Sequence, residues 1–380
     1  MRNNRFKGIS FILITVVLAV LCSCKGGGTT SVNDGGDTIK LKYAERITMV
    51  RHNGYTVVSL EDPWNKGKTL HTYVLVPKDK EMPTDLPDGT IVRTPITKAV
   101  IATSVHCGLV MQLGRSNSIK GICELRYMNI PYIQKRCREG KIIDCGNGLA
   151  PNLEKIIDSG ADAIIISPFQ NNGGYGRLEE WEKPIIEASD YMETSALGRA
   201  EWIKFYGMLF GEERKANSIF ALIEENYNRL MALAKKSKVR KSVIIDKKTS
   251  SVWRVPGGKS TIGRIIADAN ADYPFASDTN SGSLSLPFET VFEKAGDADV
   301  WLFRYNGQQP ATLESLKSEY QGYAQLKSYK YKEVYGCNTA TNTFYEDTPF
   351  RPDLLLRDFI IITHPDLKGL GQPKYFVKIK

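Results

Sequence analysis

The chain reads as an α/β protein of two Rossmann-like lobes, each a three-layer αβα sandwich, joined by one long helix and preceded by a β-hairpin extension. Three observations predict it. Glu154-Lys-Ile-Ile-Asp-Ser-Gly-Ala-Asp162-Ala-Ile-Ile-Ile aligns without a gap on Glu289-Thr-Val-Phe-Glu-Lys-Ala-Gly-Asp297-Ala-Asp-Val-Trp, 289 − 154 = 135 positions later. Stacked repeat arrays recur every few tens of residues, so this spacing implies two similar lobes. Short apolar strands alternate with helical segments, the pattern of a parallel sheet covered on both faces. Residues 212–235 carry apolar side chains at i, i+3, i+4 spacing without Gly or Pro, a helix of about 36 Å that would brace two lobes side by side.

The first residues say where those lobes work. Arg2, Arg5 and Lys7 precede an apolar run over 9–21 that is too short to cross a bilayer, so residues 1–23 are expected to be a signal peptide. The run ends in Leu21-Cys22-Ser23-Cys24, which resembles the bacterial lipobox. The Cys24 thiol would receive diacylglycerol, and acyl chains contributing about 0.8 kcal/mol per buried CH₂ would hold the mature chain on a membrane. Residues 24–40 carry almost nothing that burial would favour and are expected to form a tether.

The rest is long enough for two domains with full cores. We expect an N-terminal lobe over 41–196, linking helices over 197–237 and a C-terminal lobe over 238–380. Alternating residues around Asn53-Gly54 give the hairpin, because a type I′ turn needs positive φ at both central positions. Residues 78–97, rich in Pro, Asp and Lys, are expected to be loop. Core strands are expected at 99–103, 119–122, 142–144 and 163–167, then at 242–246 and 300–304, with a helix over 261–269.

Lysines scattered among acids give a formal charge of +9, without the aromatic-interleaved basic stripe of a nucleic-acid face, so no nucleic-acid partner is expected. Beyond Cys24 the mature chain keeps Cys107, Cys123, Cys137, Cys145 and Cys337, an odd number without zinc or redox spacing. One bridge, such as Cys137–Cys145, is compatible with an oxidising compartment.

The lipobox, the duplicated acidic helix-plus-strand, and Gly198-Arg-Ala-Glu-Trp-Ile-Lys-Phe leading into one long helix together resemble the helical-backbone substrate-binding proteins of ABC importers. That family handles ferric siderophores, haem and cobalamin. The resemblance implies a lipid-anchored periplasmic monomer that is not an enzyme, has no cofactor, and meets metal only inside its chelate ligand. It implies that Glu154 and Glu289, one per lobe, dock on arginines of an ABC permease dimer. Acids in a first helical turn also complement the helix dipole by about 0.3–1 kcal/mol, which alone would explain either residue but not the matched pair.

Ligands of open α/β sheets bind beyond the carboxyl ends of the strands. Those ends offer Ser104, His106, Phe169, Gln170, Asn171 and Tyr175 in the first lobe. The second offers Trp253, Arg254, Arg304 and Tyr305, with Tyr345 and Arg351 in a later loop. Aromatics give rigid contact area and arginines give forked hydrogen bonds, a composition suited to a bulky anionic chelate such as a ferric siderophore. Nearly neutral cobalamin, or haem, is the alternative. A bare zinc or manganese ion would need several His and carboxylates, and only His106 is so placed. Gly257-Gly-Lys259-Ser260 lacks the first glycine of a nucleotide loop, and Ser260 or Thr261 reads as a helix cap. Ser104 beside His106 lacks a Gly-x-Ser-x-Gly elbow, so hydrolysis is not expected.

Overall fold

A computed structural model describes residues 35–170 and 174–380, of which Asp37–Lys380 form one compact unit. Cys24, the signal peptide, most of the tether and Asn171 lie outside the described residues.

The amino-terminal extension is more than a hairpin. Strands β1 (Asp37–Thr38), β2 (Ile47–Arg51), β3 (Thr56–Glu61), β4 (Thr69–Pro77) and β5 (Thr90–Thr94) form a sheet in that order. The first pairings are antiparallel, with the expected turn at Asn53-Gly54 between β2 and β3, and β4 pairs β5 in parallel. β5 lies inside the stretch expected to be loop. Its five residues are flanked by Pro87 and Pro95, and Val92 is buried while Ile91 is exposed, so its period is right but its length gives little signal. Tyr73 ties this sheet to the neighbouring one, since its hydroxyl donates to Ile185 O (3.0 Å) and accepts from Glu187 N (2.8 Å).

The first lobe is a parallel sheet in the order β10-β9-β6-β7-β8, from β6 (Ala99–Ile101), β7 (Ile119–Ile122), β8 (Ile143–Asp144), β9 (Ala163–Ile166) and β10 (Ile185–Glu187). Helices α1 (Ser104–Gln112), α2 (Pro131–Arg138) and α3 (Leu153–Asp158) connect its strands. Both faces are covered, which is why β6 and β9 are buried at every position. Three helices lead out of it: α4 (Ala196–Glu201), α5 (Ile203–Leu209) and the 22-residue α6 (Glu213–Ala234), about 33 Å long.

In the second lobe β11 (Val243–Ile245), β15 (Val300–Tyr305) and β16 (Val334–Asn338) run parallel, and β17 (Val377–Lys378) closes the edge antiparallel. A separate antiparallel sheet holds β12 (Lys248–Thr249), β13 (Val252–Pro256) and β14 (Ser283–Leu286). Its helices are α7 (Thr261–Asp268), α8 (Phe288–Ala295), α9 (Leu313–Glu319), α10 (Lys327–Lys330), α11 (Phe344–Asp347) and α12 (Pro352–Thr363). The two aligned copies are α3 with β9 and α8 with β15, and they sit in different sheets. Ser260 caps α7 through Gly263 N (3.0 Å). Cys107, Cys123, Cys137, Cys145 and Cys337 are free thiols, so Cys137 and Cys145 are not bridged.

Candidate functional site

The loops after the carboxyl ends of both parallel sheets meet. Asn129, beyond β7, donates from Nδ2 to Thr339 O beyond β16 (2.5 Å). Gly108 in α1 lies so close to α11 that a Cβ there would stand 3.0 Å from Glu346 O. Burial raises the pKa of the Glu346 carboxyl, and Ser104 at the start of α1 works against that rise. A cavity of about 220 Å³ lies on this seam, lined by Ala196 and Arg199 on one side and by Thr261, Arg304, Tyr345 and Pro349 on the other.

Each arginine in it is held by a carboxylate. Arg304 forks onto Asp246 through Nε (2.9 Å) and Nη2 (2.5 Å), and its guanidinium lies 5.6 Å and 5.9 Å from the ring centres of Phe344 and Tyr345. Burial works against its charge, but Asp246 outweighs burial and holds the guanidinium more basic than usual. Arg199 donates from Nε to Asp190 (2.9 Å). Asp190 is fully buried and also meets His106 Nε2 (2.8 Å) and the Tyr206 hydroxyl (3.0 Å). Burial alone would raise its pKa, yet the charges of His106 and Arg199 bring it down to about 2. An arginine has five N–H donors, so Arg199 and Arg304 each keep donors beyond those used on aspartate, in a fixed plane.

The other expected residues divide. Phe169 is 42 % exposed after β9 and Gln170 beside it is exposed, whereas Tyr345, 47 % exposed, stands on helix α11 and not in a loop. Arg351 pairs with Asp353 through two bonds (2.9 and 2.8 Å) beside Gly108 and Glu346.

Five residues are corrected. Trp253 is fully buried, donating from Nε1 to Ile245 O (2.9 Å), because β13 is a strand and not a loop. Alternation along β13 then sends Arg254 to solvent, opposite Ser285. His106 is buried between Asp190 and Thr103, whose Oγ1 is 2.6 Å from Nδ1, and does not face a ligand. Tyr175 turns to the extension, donating to Glu187 (2.7 Å) in a cavity of about 400 Å³ shared with His71 and Thr90. Tyr305 lines a cavity of about 760 Å³ within the second lobe, against Pro310, Asn338 and Tyr375.

Arg199 and Tyr127 carry the opposite lesson. Arg199 stood in the quoted motif without a role. Tyr127 is 59 % exposed just past β7, under the Arg126 guanidinium (4.6 Å), and its place after an apolar strand was readable.

The model of a family described as periplasmic binding protein matches residues 107–341, more than half of the chain. The chain belongs to the periplasmic binding protein family. Its members are substrate-binding proteins of transport rather than enzymes, and they serve ABC permeases. Two lipoproteins of Methanocaldococcus jannaschii named uncharacterized are each 25 % identical to this binding protein; one alignment covers 97 % of this chain and 95 % of the relative, the other 90 % and 87 %. A periplasmic binding protein from Veillonella parvula superposes with TM-score 0.61 at 14 % identity, over 83 % of this chain and 99 % of that one. A periplasmic heme binding protein from Pseudomonas aeruginosa gives 0.57 at 14 %, over 75 % and 98 %. A siderophore binding protein from Vibrio cholerae, solved with Fe3+-Desferal, gives 0.52 at 14 %, over 71 % and 100 %. The binding protein thus has the two-lobed α/β fold of this family.

Proposed function

We propose that this binding protein is anchored to a membrane through Cys24, captures a ferric siderophore between its lobes and delivers it to an ABC permease. The observation that carries the ligand class is the pair Arg199, on the linking helix α4, and Arg304, on β15 of the second lobe, which line one cavity. Aspartates hold both planes, so their remaining donors suit the clustered oxygens of a carboxylate, hydroxamate or catecholate chelate. Net positive charge contributes less than the count of arginines implies, because Arg199, Arg304 and Arg351 are each paired. A seam cavity of about 220 Å³ is smaller than the roughly 300–1,000 Å³ of ligand pockets. The chelate therefore rests over the seam, against exposed Phe169, Tyr127 and Tyr345. The lipoprotein names of the relatives support the anchor and a periplasmic setting.

Fluorescence quenching with ferric hydroxamate, ferric catecholate, haem and cobalamin tests this. A ferric chelate is expected to bind most tightly, and Arg304→Ala to weaken it at least tenfold, about 1.4 kcal/mol. Tighter binding of haem or cobalamin, with Arg304→Ala neutral, would replace the siderophore reading.

A further inference from the structure

The amino ends of the strands in the second lobe gather cations that the ligand seam does not use. The turn after α6 reads Lys235-Lys-Ser-Lys-Val-Arg-Lys241, and the turn after α10 reads Lys330-Tyr-Lys332. Shared acids bring the two turns to one surface. Glu333 takes Lys241 (3.0 Å) and Lys378, while Asp299 takes Lys327 (2.7 Å) and the Ser242 hydroxyl (2.9 Å). Asp272 is occupied by Arg240 (2.8 Å), and Asp366 by Ser237 and Lys238 N. Lys236, Lys238, Lys330 and Lys332 are exposed and make no ion pair among the described residues.

Each turn also puts an apolar side chain between its cations. Val239, between Lys238 and Arg240, is 38 % exposed, and Tyr331, between Lys330 and Lys332, is 72 % exposed. An amphipathic ring flanked by lysines suits a bilayer interface, where the ring enters the headgroup region and the cations meet phosphate. Duplex DNA would pair the lysines equally well but leave Val239 without a use.

We infer that this end of the second lobe rests on an anionic phospholipid surface. Its position gives the contact a purpose. Glu154 and Glu289 lie in the first turns of α3 and α8, at the other end of the sheets, because α8 runs back to the start of β15. A protein lying on its cationic end holds the ligand seam away from the bilayer, open to incoming chelate, and must turn over to present those glutamates to a permease. Only this setting rests on the proposed anchor; the contact itself needs neither acyl chains nor chelate.

The chain from Lys25 onward, which keeps the compact unit Asp37–Lys380 whole, is sedimented with vesicles of phosphatidylcholine alone or with phosphatidylglycerol added. Binding is expected only to the anionic vesicles and is expected to fade with salt. Reversing Lys236, Lys238, Lys330 and Lys332 to Glu together is expected to weaken it at least tenfold, with chelate quenching unchanged. Tyr331→Trp, a milder change, is expected to shift its emission to the blue on anionic vesicles. Equal binding to both vesicles, no binding, unaltered binding by the charge-reversed chain, or release of vesicles by duplex DNA at equal phosphate would each overturn the inference. A ferric chelate that fails to bind would leave it standing and remove the proposed function instead.

Discussion

At the scale of single residues, the stretch Gly198–Phe205 owes its composition to buried carboxylates. Glu201 is fully buried and accepts the backbone N–H groups of Lys42 (2.9 Å), Tyr43 (2.7 Å) and Ala44 (3.0 Å), with Lys204 Nζ at 2.6 Å. Glu193 does the same for Glu45 and Arg46 and takes the Trp202 indole N–H (2.8 Å). A Cβ on Gly198 would stand 2.8 Å from Tyr43 O, so this glycine lets the strap 42–46 lie down. Glu201→Ala leaves three backbone donors unpaired, a cost of about 3 kcal/mol, and proteolysis at Arg46 should accelerate; stability within about 0.5 kcal/mol of the parent would refute the clamp. Asp190 gives a pH signature. Its folded pKa of about 2 lies below the roughly 3.9 of an unfolded aspartate, so its contribution of about 2 kcal/mol is complete above pH 4 and is lost as the pH falls toward 2. Denaturant titrations should show Asp190→Asn to be less stable at pH 7 and flatter over that acid window. These roles were not legible, because nothing in the local pattern of Glu201 or Asp190 shows that partners 157 positions away or 84 positions back complete them.

At the scale of elements, legibility followed periodicity. The helix expected over 212–235 is Glu213–Ala234, and Ala216, Phe220, Ile223, Tyr227, Leu230 and Ala234 are its buried stripe. Its two halves serve different parts of the molecule. Glu213 pairs with Arg51, and Glu224 pairs with Lys42 and accepts the Tyr43 hydroxyl, both toward the extension, whereas the Tyr227 hydroxyl donates to Asp268 of α7 (2.6 Å). Where α5 crosses the start of α6, a Cβ on Gly207 would stand 2.5 Å from the Ala216 methyl. Gly207→Ala should therefore cost about 1–3 kcal/mol despite adding a good helix former, and Ala216→Gly in the same chain should recover much of it. Additive losses in that double-mutant cycle would show that the helices do not meet there. Elements without length are not legible: β5 hides among prolines, and β13 is absent from the expected strands because Trp253 and Arg254, one inside and one outside, look alike as ligand contacts.

At the scale of the whole molecule, the internal duplication was the most legible feature, since two copies of one sheet-and-helix pattern need two sheets. The division of the strand ends among seam, core and side cavities was not, because it depends on loop paths that residue type does not encode. The same arrangement bears on ligand capture. α6 passes both lobes without a break, and the Asn129–Thr339 bond and the Gly108–Glu346 contact already join them on the seam side. Wide closure would have to bend that helix or open those contacts, so small-angle scattering should show the radius of gyration changing by less than about 1 Å on chelate binding. Contraction by several ångströms would mean that the lobes hinge after all. A molecule that moves so little gives a permease few cues other than its surface, which gives Glu154 and Glu289 their weight: both are exposed in first helical turns and make no ion pair among the described residues. Reversing both to Arg should abolish chelate uptake by cells while leaving quenching affinity within about twofold, a gap that no ligand-site role for either residue would produce. Uptake at the parental rate would remove these two acids from the docking surface and leave their complement to the helix dipoles as their whole contribution.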